Sequence, residues 1–155
     1  MAARPLRIAI LENDTPLEGT RAKYGGYGGV FKTLLNSAAA DLPGFSPDNL
    51  VLSTYDVVTK QEYPSLDDVD AILLSGSRHN SFDNDPWILK LVDFVKSAFD
   101  GGRVRVIGVC YGHQIVARAL GGKVGRSDQG WEISVTAIDL TKRGQEIFGR
   151  PALVS

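Results

Sequence analysis

Val104-Arg-Val-Ile-Gly-Val109, then Cys110-Tyr-Gly112, then His113-Gln-Ile-Val-Ala-Arg-Ala-Leu120 run on without a break. The first part is β-branched and reads as a buried strand; the last has helical spacing and stops at Gly121-Gly122. Between them stands G-x-C-x-G, from Gly108 to Gly112. A sharp strand-to-helix turn needs small residues two places either side of its apex, because larger side chains collide there. The apex side chain is then held out at the carboxyl edge of a sheet. A helix starting at the next residue would aim free N–H groups and its positive end at the sulfur, which favours the thiolate. The Tyr111 N–H would also stand where it can meet an oxyanion. Cys110 is therefore a candidate nucleophile. A lone cysteine is also commonly a buried core residue, and alkylation under native conditions separates the two readings.

Working outward, short β-branched runs alternate with helical segments. Residues 7–11 read as a first strand buried on both faces, 50–55 as a second and 71–75 as a third. Val30, Phe31, Leu34, Leu35, Ala38 and Ala39 mark a helix that Pro43-Gly44 ends. A second amphipathic helix begins near Pro86 and turns Ile88, Leu91, Val92, Val95 and Phe99 inward. Residues 132–138 alternate polar with apolar, as an exposed-face or antiparallel strand does. These spacings imply right-handed crossovers and a mostly parallel sheet between helices. The expected architecture is one three-layer, flavodoxin-like α/β domain over residues 1–155, with its ligand beyond the carboxyl ends of the strands.

The loop Ser75-Gly76-Ser77-Arg78 leaves the third strand at that same edge. Gly76 would let a carbonyl group approach the backbone and would present an N–H to a developing oxyanion. An ordinary strand-ending turn explains the same residues.

Composition agrees with a globular domain: 155 residues, 43% hydrophobic, with 17 Lys and Arg against 18 Asp and Glu for a formal charge of −1. Without a basic block there is no electrostatic case for nucleic acid or an anionic membrane as partner. No apolar run reaches the roughly 20 residues of a membrane span, and Arg7 breaks the opening apolar stretch, so no signal peptide is read. One cysteine and two histidines make neither an internal disulfide nor a structural zinc site. The expectation is a cytoplasmic domain without metal or cofactor. Arg150-Pro-Ala-Leu-Val-Ser155 looks like the start of another strand, which reads as a fragment.

Other motifs are weaker. Tyr24-Gly-Gly-Tyr-Gly-Gly-Val30 lacks the phosphate-loop spacings and reads as a mobile, glycine-rich helix entry, a flap with Tyr24 and Tyr27 closing on substrate. Glu12 to Asp14 read as a polar loop, and Asp67-Asp68-Val-Asp70 as a solvated turn. His79 reads as a solvated loop histidine, with a substitute base as the competing role. Trp131 either walls a pocket or packs the core.

Cys110-Tyr-Gly-His-Gln114, with Val106-Ile-Gly-Val before it and Ala119-Leu-Gly-Gly-Lys-Val after it, resembles the cysteine turn of class I glutamine amidotransferases. Ile72-Leu-Leu-Ser-Gly-Ser77 and Asp85-Pro-Trp87 resemble that family's oxyanion strand and the segment after it. The nearest flavour is the stand-alone group of fungi and plants that includes γ-glutamyl peptidases.

The resemblance implies attack by Cys110 on the γ-carbonyl of glutamine or a γ-glutamyl compound, through a γ-glutamyl thioester. Gly76 and Tyr111 would hold the oxyanion. Gln114 matches a substrate-contacting position, and His113 a motif histidine that is not the base. Ser77 and Arg78 stand where the family more often has Gly-Pro, which leaves the second contact of that loop open. The family's His-x-Glu base pair is absent from these residues, so negligible turnover is expected. The alternative is a non-catalytic binding or regulatory homologue that keeps the pocket. A separate synthetase chain would be the partner of an amidotransferase; a peptidase needs none.

Overall fold

The alternation resolves, in a computed structural model describing residues 4–128, 130, 135 and 137–154, into four parallel strands in the order β2-β1-β3-β4. These are β1 (Leu6–Glu12), β2 (Leu50–Asp56), β3 (Ala71–Leu74) and β4 (Arg105–Gly108). Register runs straight across: Ala9 pairs with Ile72, and Ile72 with Val106.

The period of two along β1 and β3 sends alternate side chains to opposite layers. Ile8, Ile10, Ala71 and Leu73 pack under Phe31 and Leu35 of α2 (Tyr27–Asp41). Ala9, Leu11, Ile72 and Leu74 meet α3 (Pro86–Asp100) and α4 (Tyr111–Ala119) through Ile88, Leu91, Val95 and Ile115. Ile72, Leu74, Ile88 and Leu91 are wholly buried, and each contributes roughly 1.5–3 kcal/mol of transfer free energy. Helices on both faces of a parallel sheet are the three layers expected. A short helix, α1 (Glu18–Tyr24), precedes α2; it buries no residue, so it carries no apolar stripe to read.

Three expectations need correcting. Phe99 is 52% exposed, because the buried stripe of α3 runs through Trp87, Ile88, Leu91, Val95 and Ala98 and has rotated past Phe99 at the helix end. Strand β4 is not buried throughout: among the described residues it pairs only with β3, and Arg105 and Ile107 face outward. Asp70 is no solvated turn residue, since its carboxylate binds the side chains of Arg4 and Arg7.

The chain divides into two compact units, one up to Gly125 and one from Arg126. In the second, β5 (Ala137–Asp139) and β6 (Ala152–Val154) pair antiparallel, joined through α5 (Lys142–Phe148), whose first turn Thr141 caps by accepting from the Gly144 N–H at 3.2 Å. Most of the strand expected over 132–138, and Trp131 with it, lies outside the described residues. No helix among the described residues is long and apolar enough to cross a membrane.

Candidate functional site

A parallel sheet wound in this order changes direction between β1 and β3, and a crevice opens there beyond their carboxyl ends. The chain leaves β1 as Asn13-Asp14 and β3 as Ser75-Gly76-Ser77, while β4 ends at Cys110.

Cys110 sits at the turn from β4 to α4 with φ 52° and ψ −110°, a conformation that costs an L-residue of order 1–3 kcal/mol. The turn is tight enough to need both glycines. A Cβ at Gly108 would lie 2.5 Å from the Gly112 carbonyl carbon, and one at Gly112 would lie 2.6 Å from the Leu74 carbonyl oxygen. The thiol is free and exposed. Tyr111 behind it is buried and stacks on Trp87 at 6.2 Å. Burial pushes the Tyr111 hydroxyl well above the usual phenol range, and that hydroxyl has no partner among the described residues.

Two backbone N–H groups near Cys110 have no acceptor among the described residues. In the first turn of α4, Gly112 N–H donates to Val109 O at 2.9 Å and His113 N–H to Cys110 O at 3.1 Å, which leaves the Tyr111 N–H without an acceptor among the described residues. The second donor follows from strand alternation. Ser75 N–H donates to Leu11 O on the β1 side, and Leu74 O accepts from Val109 N–H on the β4 side. The Ser75 carbonyl again faces β1, where it accepts from Asn13 Nδ2 at 2.7 Å. The next N–H, that of Gly76, therefore faces the β4 side, where β4 has already turned away at Cys110. A Cβ at Gly76 would lie 3.6 Å from Cys110 Cβ and 4.0 Å from Sγ, in ordinary van der Waals contact with that side chain, so the loop passes directly beside Cys110.

A cleft of about 370 Å³ lies against this loop, lined by Asp14, Leu17, Tyr27, Gly76, Ser77 and Arg78. Ser77 Oγ accepts from the His79 N–H at 3.1 Å, and the Arg78 N–H donates to Asp14 Oδ2 at 2.9 Å. The Arg78 N–H is thus committed to a carboxylate. Arg78 Nε adds a 3.2 Å bond to Asp14 Oδ1, and His79 Nε2 stands 4.0 Å from the same oxygen. His79 is 38% exposed at its side chain and meets Trp87 edge-on.

Gln114, on α4, accepts from the buried Ser81 hydroxyl at 2.7 Å through Oε1. Arg118, one turn further, donates to the Ser81 and Asp83 carbonyls at 2.7 Å and ties that loop to α4. His113 is exposed.

The glycine-rich segment serves packing. A Cβ at Gly28 would strike Thr54 Cγ2 at 2.2 Å, and the Gly28 N–H donates to Glu12 Oε1 at 2.7 Å. Tyr27 lines the cleft, whereas Tyr24 belongs to a separate hollow with Glu12, Lys32 and Thr54. Asn13 and Asp14 are the residues that sequence reading missed. Both are buried, and the available signal was their place directly after a strand buried on both faces.

Residues 47–150 match the family model for glutamine amidotransferase class-I. The chain is 38% identical over 152 residues to a glutamine amidotransferase-like protein of Schizosaccharomyces pombe, covering 94% of this chain and 60% of that protein. It is 35% identical over 128 residues to gamma-glutamyl peptidase 4 of Arabidopsis thaliana, covering 81% of this chain and 46% of the relative. The chain thus spans about half to three-fifths of these relatives' lengths. Among solved structures, a glutamine amidotransferase from Thermotoga maritima superposes with a TM-score of 0.68 at 14% identity, covering 98% of this chain and 59% of that one. At that identity the likeness speaks for the fold alone.

Proposed function

Because this chain belongs to the class-I glutamine amidotransferase family, we propose that it is a γ-glutamyl hydrolase whose nucleophile is Cys110. One observation carries the reading: an exposed thiol at a strained strand-to-helix turn, a nucleophile elbow, with the Gly76 and Tyr111 N–H groups open beside it. Cys110 Sγ adds to the γ-carbonyl of glutamine or a γ-glutamyl peptide, and the tetrahedral oxyanion accepts from those two N–H groups. Collapse breaks the C–N bond, the amine leaves with the proton that the Cys110 thiol gave up, and a γ-glutamyl thioester remains. Water then returns glutamate and the thiol. Gln114, anchored by Ser81, borders the acyl group. In a peptidase, water takes the acyl group and no partner chain is required; a released ammonia would otherwise pass to a separate synthetase chain.

The amine needs a proton donor and the thioester a base. The chain has two histidines. His113 is exposed on α4 and His79 lies by Asp14, so neither stands assigned to Cys110. The weakly basic p-nitroaniline of an activated anilide can leave with the thiol's own proton, so the 155 residues acylate. With no base for the thioester they turn over negligibly. Incubation with L-γ-glutamyl-p-nitroanilide and intact-protein mass spectrometry should show one γ-glutamyl adduct, absent in Cys110→Ala. An adduct on another residue, or no adduct in the wild-type chain, overturns the reading.

A further inference from the structure

Asn13 is wholly buried at the carboxyl end of β1, and its bonds converge on one residue, Ser75. Its backbone N–H donates to Ser75 Oγ at 2.9 Å, and its Nδ2 donates to the Ser75 carbonyl at 2.7 Å. Ser75 Oγ in turn donates to the Gly76 carbonyl at 3.0 Å. The Ser75 carbonyl and the Gly76 N–H belong to the same trans peptide, so they point in opposite directions. Whatever fixes the one fixes the other.

We propose that Asn13 is a positioning residue that aims the Gly76 N–H at Cys110. This rests on the reading of Gly76 as an oxyanion donor. The carboxamide holds the Ser75 carbonyl toward β1 and prevents the Ser75–Gly76 peptide from rotating. Rotation would present a carbonyl oxygen, not an N–H, to the oxyanion. The bond also polarises the peptide and strengthens its N–H as a donor. The other end of the carboxamide supports a role in placement over one in stability. Asn13 Oδ1 is buried with no partner among the described residues, a desolvation cost that an apolar side chain would avoid. Among the described residues no second bond holds the Ser75 carbonyl, because regular pairing with β1 ends at the Ser75 N–H and the next tie to that side is the Arg78 N–H on Asp14.

The test compares two reactions of the same thiol in the full chain. Acylation by L-γ-glutamyl-p-nitroanilide passes through an oxyanion, whereas iodoacetamide displaces iodide at a saturated carbon and needs no oxyanion donor. In Asn13→Asp, which sets an acceptor against the Ser75 carbonyl, acylation should slow about 30-fold, short of the ~10²–10³ for losing a donor outright. Alkylation should stay within about twofold of wild type. Ser75→Ala keeps the Nδ2 bond and should slow acylation only about threefold. If Asn13→Asp does not fold, Asn13→Ser, too short to reach the carbonyl, is read by the same two rates. Equal acylation in wild type and variant overturns the role of Asn13 and leaves the nucleophile standing. A parallel fall in both rates reduces Asn13 to a packing residue and overturns the proposal as well. A wild-type chain that alkylates without acylating overturns the oxyanion reading itself.

Discussion

The two ends of the parallel sheet use polar groups in opposite ways. At the amino end, Asp70 accepts from the Arg7 N–H at 3.0 Å, from Arg7 Nη2 at 3.1 Å and from Arg4 Nη2 at 2.6 Å. Its own N–H and carbonyl tie β1 to β4 through Arg7 O and Arg105 N–H, and Arg103 donates to the Val69 and Leu66 carbonyls. Donors there meet acceptors. At the carboxyl end, the Gly76 and Tyr111 N–H groups, the buried Asn13 Oδ1 and the buried Tyr111 hydroxyl have no partner among the described residues, and Cys110 is held at positive φ. The same four strands supply both ends. One end is thus satisfied and stabilising, while the other keeps strain and unused donors around the proposed nucleophile.

The largest effect that separates the ends is steric. Gly112→Val would drive a side chain into the Leu74 backbone, with the Cβ alone 2.6 Å from Leu74 Cβ and O. Backbone on one side and helix on the other leave nowhere to move. We expect a loss of about 3 kcal/mol in urea unfolding, with the β4–α4 turn displaced. An unfolding midpoint equal to wild type would show that the turn tolerates bulk and that its tightness is not a requirement.

A smaller effect has the opposite sign. Cys110→Gly removes the proposed nucleophile and places at φ 52° the one residue that adopts it freely. Relief of strain outweighs the added freedom of the unfolded chain, so stability should rise by about 1 kcal/mol. Cys110→Ala keeps a Cβ at that angle and should gain nothing. A destabilised Cys110→Gly would mean that the carboxyl end is relaxed, and the contrast between the ends would lose its main support.

How much of this was legible in the sequence follows the same division. Strands β1 and β3 were readable because burial on both faces leaves apolar runs, and the turn at Cys110 because glycines flank its apex at two places on each side. The exposed face of β4 was not readable, since a run of Val and Ile does not say which neighbour covers it. Phe99 follows Val95 at helical spacing, yet at that end of the helix the buried stripe passes through Ala98 instead. Asn13 and Asp14 looked like a solvated loop because their partners, Ser75 and Arg78, lie more than 60 residues away in sequence. Asp70 hid its role for the same reason: its arginines come from the start of the chain.

The amino end makes the finest test, through pH. The Arg7 side chain, then the Arg7 N–H and the charge of Arg4, hold the Asp70 carboxyl far below the usual carboxylate range. A carboxyl that is more acidic when folded contributes stability fully above its unfolded pKa of about 4 and loses that contribution as pH falls toward the folded value. Stability should therefore decline below about pH 4 in the wild-type chain. Asp70→Asn cannot ionise, so its stability near pH 7 should be lower and its acid decline shallower, with the two unfolding curves converging at low pH. Salt should narrow the difference, because Arg4 is largely exposed and screened. Curves that remain parallel down to pH 2 would mean that Asp70 holds the amino end by shape alone. The two ends would then differ in strain and not in electrostatic pairing.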